Sequence, residues 1–444
     1  MINELCVFLK HNGEKKAAQA LLEALGRHSN TAEQLDVLSK TAFDIKDYPL
    51  AVKLTERLVP LISNPKALYD VNSNLITSYV HSNYPEKSME MILEQEKLVP
   101  NDRDRDLTKA YTLFMLARRD EAEAILRENL ANPYITEKVR TEINFNLGTY
   151  DLYKDNFQEG LYRFLIYGRK LGNWKKPALP YTMWNGEDIS GKTLVILAEA
   201  GIGDEFINIR FMKHLQDRGI TPYWYTDRKD LREIYRYNGF NVLESKDEYK
   251  DVYWCHSMDL PVLLKLQYED LWYGPYLKAK PCDVPKELNI VATKIGLRWQ
   301  GNIHYDDDLH RSLNLKNLMQ TINDVDREVV LYSIQRDDGV EDLAGVSGII
   351  PLHDKTLNTF NETLNVIEKL DIVITSCTSI AHAAAAMGKR TIIFTPISAY
   401  YTWCNSWGEK SPWYGDNVTI LRQTKPRCWK EPLDRLKDIL LCEL

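Results

Sequence analysis

The 444 residues contain no Cys-x-x-Cys pair and no zinc-type spacing; seven cysteines stand singly at 6, 255, 282, 377, 404, 428 and 442. That usage predicts reduced thiols inside a cell rather than a disulfide framework or a zinc site. There is no basic excess either. A net charge of -7 argues against sequence-independent nucleic-acid binding as the general property of the chain. No run reaches the ~20 apolar residues that a membrane span needs. The start, MINELCVFLKHNGEKK, has no long apolar core followed by small residues, so the expectation is a cytoplasmic protein. Gly 21 and Pro 18 are too few for collagen-like or low-complexity chains. The length exceeds the ~250–300 residues at which one core stops growing, which predicts two or three domains. Aromatics are plentiful, with 10 Trp and 25 Tyr, concentrated after residue 150, where a ligand surface is expected.

Residues 1–171 carry apolar positions at three- and four-residue steps, as in LTKAYTLFMLARRDEAEAILRENL, and predict helix after helix. Five segments align: NGEKKAAQALLEAL, KDYPLAVKLTERLVP, SNYPEKSMEMILEQEKLVP, ARRDEAEAILRENLANP and KDNFQEGLYRFLIYGRKLGN. With Ala17, Ala51, Ser88, Ala122 and Gly160 as equivalent small residues, the intervals are 34, 37, 34 and 38. A helix, a short turn and a second helix with a small packing residue, repeated about every 34 residues, resembles the tetratricopeptide repeat in degenerate form. An irregular helical bundle is the plainer alternative.

Residues 172–192 are rich in Pro, Gly and aromatics and read as a linker. Beyond them, short apolar runs alternate with helical stretches: TLVILAEA, TPYWYT, FNVLES and DVYWCH in a first set, then KIGLRWQG, EVVLYSIQ, SGIIPL, DIVITS, RTIIFTP and NVTILRQ in a second, the pattern of parallel sheets covered by helices. A Pro-containing break, KAKPCDVPKELN, divides 193–283 from 284–444. The expected fold class is therefore α + α/β: helical repeats, then two Rossmann-like lobes, with a closing helix, PLDRLKDILLCEL.

Ligands of such sheets bind beyond the carboxyl ends of the strands. Three loops qualify. In the first, Gly201 and Gly203 let backbone approach a ligand and Asp204 stands where a helix begins, as a reactive carboxylate or simply a helix cap. Phe206 occupies the third position of a dinucleotide fingerprint, which disfavours that cofactor. The second loop offers Arg298, Gln300, Asn302 and Arg311, with Gln335 and Arg336 at the end of the next strand. Asp306, Asp307 and Asp308 could chelate a cation or be a solvated charge run. In the third, Thr378 and Ser379 open a helix whose free N–H groups favour an anionic phosphate. His382 follows one turn later, as a ligand contact or a packing residue. Arg336 could instead pair with Asp337 or Asp338, and Trp403, Trp407, Trp413 and Tyr414 could stack on a ligand or seal the lobe.

The motifs IGLRWQGNxxH…HRSL, LYSIQR, ITSCTSIAHAAAAMGK and SPWY…LRQ, over about 193–430, resemble the heptosyltransferase family of GT-B glycosyltransferases. The resemblance implies two lobes with a nucleotide-sugar donor on the second, an acceptor facing the first, and inverting transfer without a metal or other cofactor. It implies Asp204 as catalytic base and Thr378, Ser379 and His382 as a donor-phosphate site. Cys377 stands where many of these enzymes have Asp. A protein or peptide acceptor held by the repeats, a glycan, and a modified nucleic-acid base all stay open, as do a non-catalytic repeat scaffold with a degenerate transferase lobe and an epimerase of nucleoside-diphosphate sugars, which would need no acceptor.

Overall fold

The computed structural model describes residues 2–100, 102–172, 177, 179–245 and 252–444; linker positions 173–176 and 178, and the Asp251 start of the expected DVYWCH strand, lie outside the described residues. Ten helices come first: α1 (Ile2–His11), α2 (Lys15–His28), α3 (Ala32–Asp44), α4 (Tyr48–Leu58), α5 (Pro65–His81), α6 (Pro85–Leu98), α7 (Arg103–Met115), α8 (Arg119–Leu130), α9 (Glu137–Tyr153) and α10 (Phe157–Leu171). They form five consecutive pairs. Each pair is closed by one residue in the left-handed region: Gly13, Lys46, Asn83, Ala117 and Asp155, at φ of 83°, 58°, 65°, 60° and 60°. Five residues after each stands a buried small residue, namely Ala18, Ala51, Ser88, Ala122 and Gly160. The first repeat is thus anchored by Ala18, while Ala17 faces solvent, and the repeat intervals begin at 33 rather than 34. Turn and packing residue recur together, which makes the helices tetratricopeptide-like repeats.

The chain divides into two compact units: Met1–Ile135 with Asn302–His310 and Thr424–Cys428, and Thr136–Gly301 with Arg311–Gln423 and Trp429–Leu444. In the first, Cys6, Ala18, Leu22, Leu35, Leu38, Leu50 and Leu54 share one core. Asp306 in this unit pairs with Lys46 at 2.5 Å and with Lys10 at 3.6 Å. Its charge is met by lysines.

Helices α9 and α10 belong to the second unit because Leu152, Phe157, Leu161 and Leu165 join a core with Trp184, Leu194, Ile196 and Phe206. Their mutual approach depends on two glycines. A Cβ on Gly148 would lie 2.7 Å from the Phe164 nitrogen, and one on Gly160 would lie 2.8 Å from the Leu152 nitrogen. Backbone cannot yield as a side chain can, so Gly160→Ala is expected to cost about 1–3 kcal/mol, read as a lower urea midpoint with an unchanged slope.

Two parallel sheets follow. The first contains β1 (Thr182–Met183), β2 (Thr193–Leu197), β3 (Thr221–Tyr225) and β4 (Tyr253–His256) in the order β1-β4-β2-β3. The expected FNVLES strand makes only a bridge, Trp224 to Val242, and the sheet's edge comes instead from β1 in the linker. The second contains β5 (Thr293–Arg298), β6 (Val329–Ser333), β7 (Ile349–Pro351), β8 (Ile372–Ser376), β9 (Arg390–Thr395) and β10 (Val418–Arg422), ordered β10-β9-β8-β5-β6-β7. Helices α11 (Ile202–Asn208), α12 (Met212–Asp217), α13 (Lys229–Tyr237) and α14 (Leu260–Leu263) accompany the first sheet. Helix α15 (Asp308–Arg311) falls at the boundary between the two units, and α16 (Leu315–Asn323), α17 (Phe360–Lys369), α18 (Ser379–Ala386) and α19 (Lys430–Glu443) accompany the second sheet. These are the two Rossmann-like lobes of a GT-B fold. Strand order reverses between β2 and β4 in one lobe and between β5 and β8 in the other, and crevices open at such switch points.

Candidate functional site

The loop after β2 is fixed by buried charges. Ala200, a non-glycine at φ 62°, has its carbonyl held by Arg228 Nη2 at 2.9 Å. Arg228 also binds Glu205, which is fully buried and accepts from Thr226 Oγ1 at 2.9 Å and Trp224 Nε1 at 3.3 Å. From the other side, Arg169 on α10 pairs with Glu199 at 2.6 Å and Asp259 at 2.7 Å. Neither carboxylate framework is visible in the linear motifs, since its members lie up to 90 residues apart in Arg169 and Asp259.

Within this frame Asp204 is 7% exposed, and its Oδ2 accepts from the Gly201 N–H at 2.9 Å. It therefore caps α11. Its Oδ1 is buried with no hydrogen bond among the described residues, as is the Tyr401 hydroxyl, although the two are close enough to perturb one another. Burial raises the Asp204 pKa to about 6, against the lowering effects of the Gly201 N–H and Tyr401. Tyr401, pressed by the same burial and by the Asp204 charge, is raised well above its ordinary value.

The loop after β5 behaves differently. Gln335 is completely buried, and its amide goes entirely to backbone: it accepts from Trp299 N at 3.2 Å and Gln300 N at 3.1 Å and donates to Gln300 O at 3.0 Å and Asp338 O at 2.5 Å. Such a residue shapes the loop and has no amide group left to offer a ligand. Arg298 donates to Ile334 O at 3.3 Å, and Arg336 donates to Asn358 O at 2.9 Å and pairs with Asp337 at 3.4 Å. Asn302 accepts from His304 N at 2.8 Å and clusters with the first compact unit. Arg311 reaches the third loop, donating to Cys377 O at 2.9 Å.

There, Thr378 is the N-cap of α18 with no side-chain cap bond, and its Oγ1 lies 3.4 Å from Thr375 Oγ1. Ser379 is half-buried. Arg311 thus stands at the amino end of an uncapped helix whose dipole favours an anion. His382 is enclosed: Nδ1 is 2.9 Å from the Tyr414 hydroxyl, and the ring stacks on Trp403 with centroids 4.8 Å apart. Burial, aided by the Arg210 charge, lowers its pKa to about 3, so it is neutral at physiological pH. Trp403, Trp413 and Tyr414 are buried and seal this lobe, while Trp407 is 38% exposed.

The decisive contact joins the two lobes. A Cβ on Gly203 would lie 2.7 Å from His382 Cδ2 and 3.5 Å from Ser379 Cα. Only a hydrogen fits there. Gly203→Ala is expected to push α11 from α18 and cost about 1–3 kcal/mol, measured as a fall in melting temperature.

No family model matches the chain, and no curated protein does. Among solved structures, it is similar to a family 9 glycosyl transferase from Veillonella parvula, at 11% identity over 58% of this chain and 99% of that one, TM-score 0.43. It is similar along 100% of its length to 93% of an O-GlcNAc transferase from Thermobaculum terrenum, at 13% identity and TM-score 0.34. A tetratricopeptide-repeat protein from Thermus thermophilus aligns with 39% of this chain and 90% of its own, at 22% identity and TM-score 0.28. The activities in those names belong to those proteins.

Proposed function

We propose that the chain is an inverting glycosyltransferase that moves a sugar from a nucleotide-sugar donor to an acceptor recruited by the helical repeats. The observation that carries the reading is the approach of Gly203 to Ser379 and His382: a loop bearing a buried carboxylate meets the uncapped start of a helix, each at a strand-order reversal. Two chemical demands are met at one place. An acceptor hydroxyl attacking the anomeric carbon must lose a proton, and the departing nucleoside diphosphate must be stabilised.

Asp204 Oδ1 is the proton acceptor in this reading. With a pKa raised to about 6 it is ionised at pH 7 yet basic enough to take a proton in the transition state. The free N–H groups of α18, the Thr378 and Ser379 hydroxyls and Arg311 receive the diphosphate, doing by hydrogen bonds and helix dipole what a divalent cation does elsewhere. Transfer is accordingly expected to persist in excess EDTA. Gln335 and Arg298 hold the loop that presents Arg311, and Gln300 takes part through its backbone.

The repeats suit an extended peptide acceptor, since stacked helix pairs offer a long binding surface. No described helix is long and apolar enough to cross a membrane. The scaffold reading draws on the capping bond from Asp204 Oδ2 to Gly201 N–H, which a purely structural aspartate would also make. A thermal-shift panel of nucleoside-diphosphate sugars separates the two, because a ligand bound only by the native state raises the melting temperature with the logarithm of its occupancy. A shift with one donor, lost in Thr378→Val, supports transfer. No shift with any donor transfers weight to the scaffold.

A further inference from the structure

Helix α11 ends at Asn208 and α12 starts at Met212; between them a tighter turn, Ile209–Phe211, rotates Arg210 into the protein. Arg210 is fully buried, with no carboxylate partner among the described residues. Its guanidinium donates to Ile207 O at 2.8 Å, to Leu271 O at 3.1 Å and to Trp413 O. It lies over the rings of Tyr276 and Tyr414, 4.7 Å from each centroid, and 5.8 Å from that of Trp272. Aromatic faces thus stand where an anion would be expected. Tyr276 sends its own hydroxyl proton to Phe206 O at 2.8 Å.

Tyr414 is the member of this cage that touches the candidate site, through the 2.9 Å contact between its hydroxyl and His382 Nδ1. That contact can be made with the proton on either atom. Arg210 and Tyr276 both act on the Tyr414 hydroxyl; the guanidinium can only donate and carries a positive charge, so it favours the arrangement with the phenol oxygen's electron density turned toward it and the phenol proton turned away, with His382 Nδ1 the stronger acceptor beside the Tyr276 oxygen. We propose that Arg210 and Tyr414 are positioning residues that hold His382 as the neutral Nε2–H tautomer, so that Nε2 donates a hydrogen bond to an anionic oxygen at the start of α18. This rests on the diphosphate reading for the identity of that oxygen, but the tautomer does not.

The surroundings agree. The groups against the imidazole are Tyr414 and Trp403 from the loop after β9 and Gly203 from α11. Arg210 is the charged group that acts on it, and a cation there opposes a second proton on the ring. Nε2 would stand 3.5 Å from a Cβ on Gly203 and has no protein hydrogen bond among the described residues. His382 then works as a donor throughout, never as the base, and leaves the proton of the acceptor hydroxyl to Asp204.

The test is a two-bond proton–nitrogen correlation spectrum of the full chain labelled with 15N-histidine, with His382 assigned by its loss in His382→Asn. The expected spectrum has His382 neutral with the proton on Nε2 from pH 8 to pH 5. In Tyr414→Phe, which keeps the ring and removes the hydroxyl, it becomes a mixture of tautomers. A wild-type spectrum with the proton on Nδ1, or a Tyr414→Phe spectrum identical to wild type, overturns the proposal. Should Tyr414→Phe fail to fold, the wild-type spectrum decides alone. Inorganic pyrophosphate, added to the same sample, separates this from the function it builds on. The predicted tautomer without any response to pyrophosphate leaves the positioning role standing and removes the diphosphate. A pyrophosphate response with the proton on Nδ1 does the reverse.

Discussion

Asp204→Asn is expected to lower the rate of sugar transfer by a factor of about 10²–10⁴ while leaving nucleotide affinity within about twofold. The amide keeps the shape and still accepts the capping bond from Gly201 N–H, but it cannot take a proton. Initial rates under saturating donor, with nucleotide binding by calorimetry, would measure both. A variant that turns over at the wild-type rate removes Asp204 from the chemistry. The pH profile supplies the matching signature: wild-type activity should rise with an apparent pKa near 6, the value to which burial raises this carboxyl, as the base becomes ionised.

Stability should move in the opposite direction. Below about pH 4 the carboxyl is protonated in both folded and unfolded chains and contributes no difference. Between about 4 and 6 the unfolded chain ionises while the folded one keeps its proton, so stability falls as pH rises, reaching a constant cost of about 2–4 kcal/mol above pH 6. Asp204→Asn abolishes that slope. The variant should therefore melt higher than wild type at pH 7 and differ little at pH 4. Loss of transfer together with this gain in stability would mark Asp204 as a carboxylate held at a cost to the fold for its chemistry, in addition to its capping bond.

Glu205→Ala should be the most damaging single change in the first lobe. It removes the buried acceptor that Arg228, Thr226 and Trp224 share, leaving their donors facing an apolar void. Breaking such a pair costs about 3–5 kcal/mol, and in a unit of this size that lowers the melting temperature by on the order of 10 °C. Glu205→Gln keeps the volume and part of the bonding, so it should fall between. Because Arg228 also holds Ala200 O, activity in both variants should drop further than the folded fraction does. Equal losses would mean that the loop is not positioned by this pair.

The parts of this molecule that could be read from the chain are those whose cause is local. Periodicity marks the paired helices, and the apolar runs mark β2 through β10, because burial leaves a continuous hydrophobic word. The small-residue spacing placed the repeat register within one residue, missing only that Ala18 rather than Ala17 turns inward. Where the cause is distant in the chain, no local pattern marks it. β1 pairs with β4 from inside the linker, at a register set by residues 71 positions away, Thr182 with Tyr253. FNVLES has a strand's composition but only one bridging neighbour.

The candidate site divides along the same line. Asp204, Thr378 and Ser379 follow strands directly and were legible as loop positions. The aromatic cage of Arg210 has no linear signature, since Tyr276 and Tyr414 are brought to it by separate loops. Gln335 looked like a ligand group because its position at a strand end is right, and only its four backbone bonds disclose its use. Spacing places His382 one turn into α18, but its neutral state comes from burial, aided by the Arg210 charge, neither of which spacing reveals.

The central claim is spatial: a diphosphate sits on the amino end of α18, across from Asp204. A crystal structure of the chain grown with UDP or ADP tests it most directly. The account predicts phosphate oxygens within about 3 Å of the Ser379 and Ile380 amides and of the Arg311 guanidinium, with open space between the β-phosphate and Asp204 Oδ1. A nucleotide bound elsewhere, or a diphosphate that leaves those amides to solvent, would contradict it.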